Sequence, residues 1–191
     1  IVMRIISGKS KGTSLFMTHG KKTRPLKDRV RESIFNMLTH SNKIAFQFEK
    51  SNILDLYSGT GSFGLECLSR GAEKVFFVEN EKEAIKILKK NIQKLNFKRE
   101  TQIFNKGVIE LIEKKNIAEL KFDLIFCDPP FGDSSIEKLI KLISDKKLLN
   151  KNGIIILHRN KKIKEKLHNC FKIIEERSYG ISKIILGSLF F

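Results

Sequence analysis

The 191-residue chain has no tryptophan, only three cysteines and three prolines, and few acids: 21 against 37 basic side chains. Cys67, Cys127 and Cys170 lie far apart with no Cys-x-x-Cys pair, and His19, His40, His158 and His168 are just as scattered. Neither set has ligand spacing, so no metal site is expected, and small buried thiols fit a reduced, cytoplasmic setting. No apolar run approaches the roughly 20 residues that cross a bilayer, and no leader opens the sequence, so no membrane association is expected. Repeats and low-complexity linkers are also missing. The length suits one domain with a sizeable core, and a monomer is expected.

The missing acids leave a net charge of +16, beyond what solubility requires, which points to a polyanionic partner. The surplus is concentrated: residues 1–31 carry nine basic side chains against the single acid Asp28. Met3 to Ser7 and Thr13 to Phe16 read as two short strands joined by a turn with Gly8 and Gly12 at its ends, a basic hairpin. It presents Arg4, Lys9 and Lys11. From Lys27 a helix is expected, with Val30, Ile34, Met37 and Leu38 on one face. Arg24, Asp28, Arg31 and Phe35 fall on a neighbouring side, which is either a solvated helix face or, in so basic an arm, a phosphate contact; Arg29 is a further candidate for such a contact. Residues 1–40 therefore read as a nucleic-acid-contacting extension of a main unit over 41–191.

Two of the prolines stand side by side in Phe122-Asp-Leu-Ile-Phe-Cys-Asp-Pro-Pro-Phe131. The first half is an apolar run of strand length, suited to the middle of a parallel sheet. Pro129 and Pro130 end it, since neither donates a backbone hydrogen bond and each stiffens its neighbour. Asp-Pro is also ordinary turn chemistry. A carboxylate and a proline carbonyl held close together can nevertheless accept both hydrogens of a planar amine while a ring stacks on its flat face. An amine conjugated to a nucleobase is a poor nucleophile, and two acceptors can direct its lone pair at an electrophile. Asp128, Pro129 and Phe131 are the candidate catalytic residues, with Pro130 beside the substrate.

Upstream, Asn52-Ile-Leu-Asp-Leu-Tyr-Ser-Gly-Thr-Gly-Ser-Phe-Gly64 runs from a buried strand through a glycine turn into a helix ending near Arg70. Such glycines allow a tight turn and close approach of backbone to a ligand. The next strand, Lys74–Val78, ends in Glu79, 18 residues after Gly61 and placed to accept from ribose hydroxyls. The pattern indicates an adenosine-containing cofactor. Asp55, four residues before Gly59, would repel a pyrophosphate; it suits a cation such as S-adenosylmethionine, or else it tethers the loop. Tyr57, Ser58, Gly59, Gly61 and Asn80 complete the expected pocket.

Alternation continues downstream. Helices are expected over about 81–95, 108–115, 135–144 and 161–168, and strands over 101–104 and 153–157. A closing hairpin pairs Phe171–Arg177 with Ser182–Gly187. Arg159 lies at the tip of the 153–157 strand, where it either meets substrate phosphate or sits in a surface loop.

Four blocks carry a family likeness: Arg4-Ile-Ile-Ser-Gly8, Arg24 to Asn36, Leu54 to Glu66, and Asp128-Pro-Pro-Phe131. In this order the chain resembles the bacterial 16S ribosomal RNA guanine-(N2)-methyltransferases of the RsmD family. Asp-Pro-Pro-Phe alone is shared with amino methyltransferases that act on adenine, cytosine, guanine or glutamine. The resemblance implies a class I, Rossmann-like α/β fold with seven mostly parallel strands, the last antiparallel. It implies S-adenosylmethionine as donor, a guanine 2-amino group of small-subunit rRNA as acceptor, and the small ribosomal subunit as partner. It also implies that the nucleic acid contacted by residues 1–40 is RNA. By position, Asp55, Gly59 and Gly61 would cradle the methionine moiety and Glu79 the ribose. Asp128, Pro129 and Phe131 would hold the guanine. Many relatives have Asp or Asn where this chain has Gly107, which leaves the adenine amine to Asn105 or to backbone.

Overall fold

The computed structural model describes residues 3–18, 26, 28–114, 117, 119–130, 132–164 and 166–190. The sequence places Arg24 and Phe131 in the RNA contact and the catalytic site, and both lie outside the described residues. After the arm, the elements are α1 (Asp28–His40), β1 (Asn52–Leu56), α2 (Ser62–Ser69), β2 (Lys74–Glu79), α3 (Lys82–Lys94) and β3 (Thr101–Asn105). They continue as α4 (Val108–Glu113), β4 (Phe122–Cys127), α5 (Ile136–Asp145), β5 (Leu149–Asn160), β6 (Phe171–Tyr179) and β7 (Ser182–Leu189).

The seven strands form one sheet in the order β3-β2-β1-β4-β5-β7-β6, with β7 antiparallel to both of its neighbours. Continuous apolar strands such as β2 and β4 are covered on both faces, as parallel sheets require. Ile53, Phe77, Phe126 and Ile156 face α1, α2 and α3. Leu54, Phe76, Ile125 and Ile155 face α4 and α5. From β1 the chain winds outward through β2 to β3, then returns to β4 on the other side of β1. That reversal opens a crevice beyond the carboxyl ends of β1 and β4, the usual ligand position in such sheets.

Three expectations are corrected. The arm is hairpin-like but makes only a single antiparallel bridge, Arg4 to Ser14. Ile5 N–H donates across it to Thr13 O, Leu15 N–H to Met3 O and Gly12 N–H to Ile5 O, and other backbone groups bind the core: Ile6 and Ser7 N–H donate to the Glu66 carboxylate at 2.6 and 2.9 Å, and Lys9 N–H donates to Ser69 O at 2.7 Å. Glu66 is fully buried and also accepts from Arg70 Nε at 2.8 Å. Second, among the described residues 161–168 hold no helix. Lys161 N–H donates to Ile181 O and Ile163 N–H to Asn160 O, which fixes a turn there. Third, β5 begins at Leu149 and runs through Arg159, so that residue is strand and not loop.

Candidate active site

At the tip of β1, Asp55 is 1% exposed and its Oδ2 accepts from Gly64 N–H at 3.0 Å. Burial pushes its carboxyl well up; the Gly64 donor opposes this, and the Asp128 and Glu79 carboxylates add to it. Tyr57 follows at φ +59, a conformation costly for a bulky side chain and characteristic of constrained functional turns. Burial pushes the Tyr57 hydroxyl up, and a bond to Ser135 opposes this. The glycine turn is held by Gly59 N–H donating to Glu79 Oε2 at 2.8 Å and by Gly61 N–H donating to Ser58 O at 2.9 Å. Gly61, at φ +85, holds a backbone conformation that strains any side chain, and a Cβ there would also push on Leu88 Cδ1 at 2.3 Å. Gly59 differs: a Cβ there would meet nothing within 4 Å, so its outer side is open.

At the tip of β4, Asp128 is half-buried and Pro129 buried, while Pro130 is exposed. Asp128 Oδ1 accepts from His158 Nδ1 at 2.7 Å, and His158 Nε2 lies 2.9 Å from Ser182 Oγ. Arg159 is 0% exposed and donates to Asp133 O at 2.6 Å and to Pro130 O at 3.5 Å. The expectation of a phosphate contact from Arg159 therefore fails: its guanidinium braces the segment after β4 from within.

Asp55 and Asp128 open into one cleft, lined also by Tyr57, Ser58, Gly59, Thr60, Ser62, Phe63 and Phe126. Phe63 and Phe126 stack at 3.9 Å between centroids and floor it. Met17 and Leu26 complete the wall, with Thr60 Oγ1 donating to Met17 Sδ at 3.6 Å. The arm is held over the glycine turn by Asn91, fully buried, which exchanges two hydrogen bonds with the Phe16 backbone and donates to Thr60 O. Both charged groups in this lining are acids, so the cleft favours a cationic ligand over a phosphate. Glu79, Asn80 and Asn105 stand at the adjoining tips of β2 and β3, with Glu79 and Asn105 in register. Glu79 Oε1 accepts from the Asn80 and Glu81 N–H groups.

The sequence does not reveal Met17, Phe63 or Ser182 as parts of this site, and it sets His158 at the tip of the 153–157 strand, on the side of the site, without a role. Only register and chain path bring them in. Nor do all the predicted RNA-contacting residues qualify. Arg31 is 0% exposed, donating to Arg4 O at 2.6 Å and pairing with Asp28 at 3.2 Å, so it ties the arm to α1 and faces no RNA. Phe35 is likewise buried. Arg4, Lys9, Lys11 and Arg29 are exposed. The hairpin tip with Lys9 and Lys11 is fastened at Ser69, the far end of the 8-residue α2 from the cleft, roughly 12 Å away at 1.5 Å per residue. Lys9 Nζ rests 4.6 Å over the Phe97 ring. Among the described residues no cluster of three His, Cys, Asp or Glu is arranged to hold a metal ion, and no helix is long and apolar enough to cross a membrane.

Seven strands with β7 reversed, a glycine turn at the switch point and two acids facing across it define the class I methyltransferase architecture. A solved structure of a candidate methylase from Haemophilus influenzae shares it, with a TM-score of 0.77 and 30% identity over 97% of each chain. The family model described as conserved hypothetical protein 95 matches residues 3–188. Ribosomal RNA small subunit methyltransferase D of Haemophilus influenzae is 32% identical over 180 residues, 94% of this chain and 90% of that protein. YlbH of Bacillus subtilis, described as a candidate rRNA methyltransferase, is 35% identical over 161 residues, 84% of each. The chain belongs to this family, the ribosomal RNA small subunit methyltransferase D family.

Proposed function

We propose that the protein is an S-adenosylmethionine-dependent methyltransferase that modifies the exocyclic 2-amino group of a guanine in 16S rRNA of the small ribosomal subunit. It would act in the cytoplasm as a monomer without a metal ion. One observation carries the reading: the Asp128 carboxylate and the glycine turn with Asp55 open into the same cleft. The residues fit the cofactor. Asp55 offers negative charge to its cationic end, Gly59 presents an open backbone, and Glu79 and Asn80 await the ribose with Asn105 beside them for the adenine.

When bound, S-adenosylmethionine supplies a methyl group on a positively charged sulfur; transfer to the guanine nitrogen leaves S-adenosylhomocysteine and frees one proton. Asp128 and the Pro129 carbonyl hold the amine's hydrogens, and Asp128 takes the proton that becomes acidic as the new bond forms. Phe131 stacks on the base, which reaches the cleft unpaired. Arg4, Lys9, Lys11, Arg24 and Arg29 contact the RNA backbone, and residues 1–40 serve as its docking extension. Pro130, exposed at the rim, borders the flanking nucleotide.

The test is methyl transfer from labelled cofactor onto ribosomal RNA and small subunits lacking the modification, with nucleosides resolved by mass spectrometry. Label appearing as N2-methylguanine in small-subunit RNA is expected. Label in adenine, or in protein alone, overturns the assignment.

A further inference from the structure

β5 outlasts its neighbour β4. The last pair between them is Cys127 with Leu157, after which His158, Arg159 and Asn160 pair only with β7. One step beyond Cys127 and Leu157, parallel register sets Asp128 beside His158 on the same face of the sheet. Ser182 lies on that face too, two residues from Ile184, the partner of His158. The result is a polar chain across three adjacent strands: Asp128 Oδ1 to His158 Nδ1 at 2.7 Å, then His158 Nε2 to Ser182 Oγ at 2.9 Å. His158 is 7% exposed and Ser182 3% exposed, and the residues behind them on this face, Phe126, Ile156 and Ile184, are apolar. Burying such a chain is costly unless every member is satisfied, and hydrophobic residues would close the sheet end as well.

Resting on the methyl-transfer reading above, we propose that His158 is a positioning residue for that reaction. It fixes the Asp128 carboxylate by engaging Oδ1, so that Oδ2 is the oxygen presented to the acceptor amine. Ser182 sets the ring plane through the other nitrogen. Nδ1 carries the hydrogen, because a carboxylate only accepts. The clamp has a job to do: Asp55 shares the cleft, and two acids in a poorly solvated space repel, so an untethered Asp128 would turn away from the acceptor. Arg159, the next residue of β5, grips the Pro130 and Asp133 carbonyls on the opposite side. Consecutive residues of one strand thus hold the side chain and the backbone of the Asp-Pro-Pro segment.

The full-length protein is compared as wild type, His158→Phe, His158→Asn and Ser182→Ala. Phenylalanine keeps the ring volume without a donor, and the asparagine amide places a donor near the position of Nδ1. Single-turnover transfer to unmodified small subunits, cofactor affinity by calorimetry, the KM for RNA and the melting temperature are measured. His158→Phe should slow transfer by about 10- to 100-fold, the usual scale for losing a group that orients a reacting one, with cofactor affinity and KM almost unchanged. His158→Asn should recover most of the rate, and Ser182→Ala should fall between. Wild-type turnover in a folded His158→Phe protein, or equal loss in the Phe and Asn variants, overturns the role of His158. If the Phe variant does not fold, side-chain nitrogen NMR of the wild type decides: Nδ1 should be protonated, with a resonance that moves in Asp128→Asn. An unmoved resonance refutes the clamp. Absence of transfer by the wild type would sink the assigned reaction instead, and the role of His158 with it.

Discussion

Asp55 has two neighbours of its own charge and almost no water. Its raised carboxyl means that the folded state binds its proton more tightly than the unfolded one. It therefore costs stability as pH climbs from the unfolded value, about 3.9, through the raised folded value. Asp55→Asn keeps an oxygen for Gly64 N–H and removes the charge. Melting curves should show the variant gaining on the wild type as pH rises over that interval, while its cofactor affinity drops about tenfold at neutral pH. Parallel pH profiles would refute the first expectation and equal affinity the second. Asp128 is the other residue on which the proposed chemistry depends. Asp128→Ala should lower turnover about 100-fold or more, a size typical for one lost transition-state partner, with cofactor binding little altered. Turnover near that of the wild type would remove it from the reaction.

At the scale of elements, periodicity revealed what burial requires. Ile136, Leu139, Ile140 and Ile143 make the buried stripe of α5, and β1, β2 and β4 are apolar runs of strand length. It misled where a pattern was too small to matter. Ile163 and Leu167, four apart among lysines, mimic a helix, yet one apolar pair cannot hold an eight-residue helix against nucleation cost. Arginine usually lies at the surface, but Arg31 and Arg159 are buried and each donates to a main-chain carbonyl distant in sequence. No spacing rule reveals such pairings. The same holds for Glu66, whose buried carboxylate latches the arm to α2. Glu66→Ala should destabilise the fold by about 3 kcal/mol, the scale of a broken buried pair, and expose residues 3–18 to proteolysis. An arm as resistant as in the wild type would show that other contacts suffice.

For the whole molecule, the charge of +16 and the acidic cleft work in opposite directions. The surface charge favours a polyanion, whereas the acidic lining of the cleft favours a cation over a phosphate. Replacing Lys11 or Arg4 by Gln should weaken RNA binding and lower the slope of log affinity against log salt by roughly 0.7–0.9 per lost contact. Cofactor binding should be indifferent to either change. An unaltered slope would take the arm out of the RNA interface.

Met17 gives the leading segment a second duty. The strap that carries the cationic tip also closes one side of the donor's chamber, with its sulfur against Thr60 and Leu26 nearby. Trimming the first eighteen residues would therefore strip a panel from the chamber along with the grip. A shortened protein that neither holds nucleic acid nor takes up its small-molecule donor would be telling one story twice.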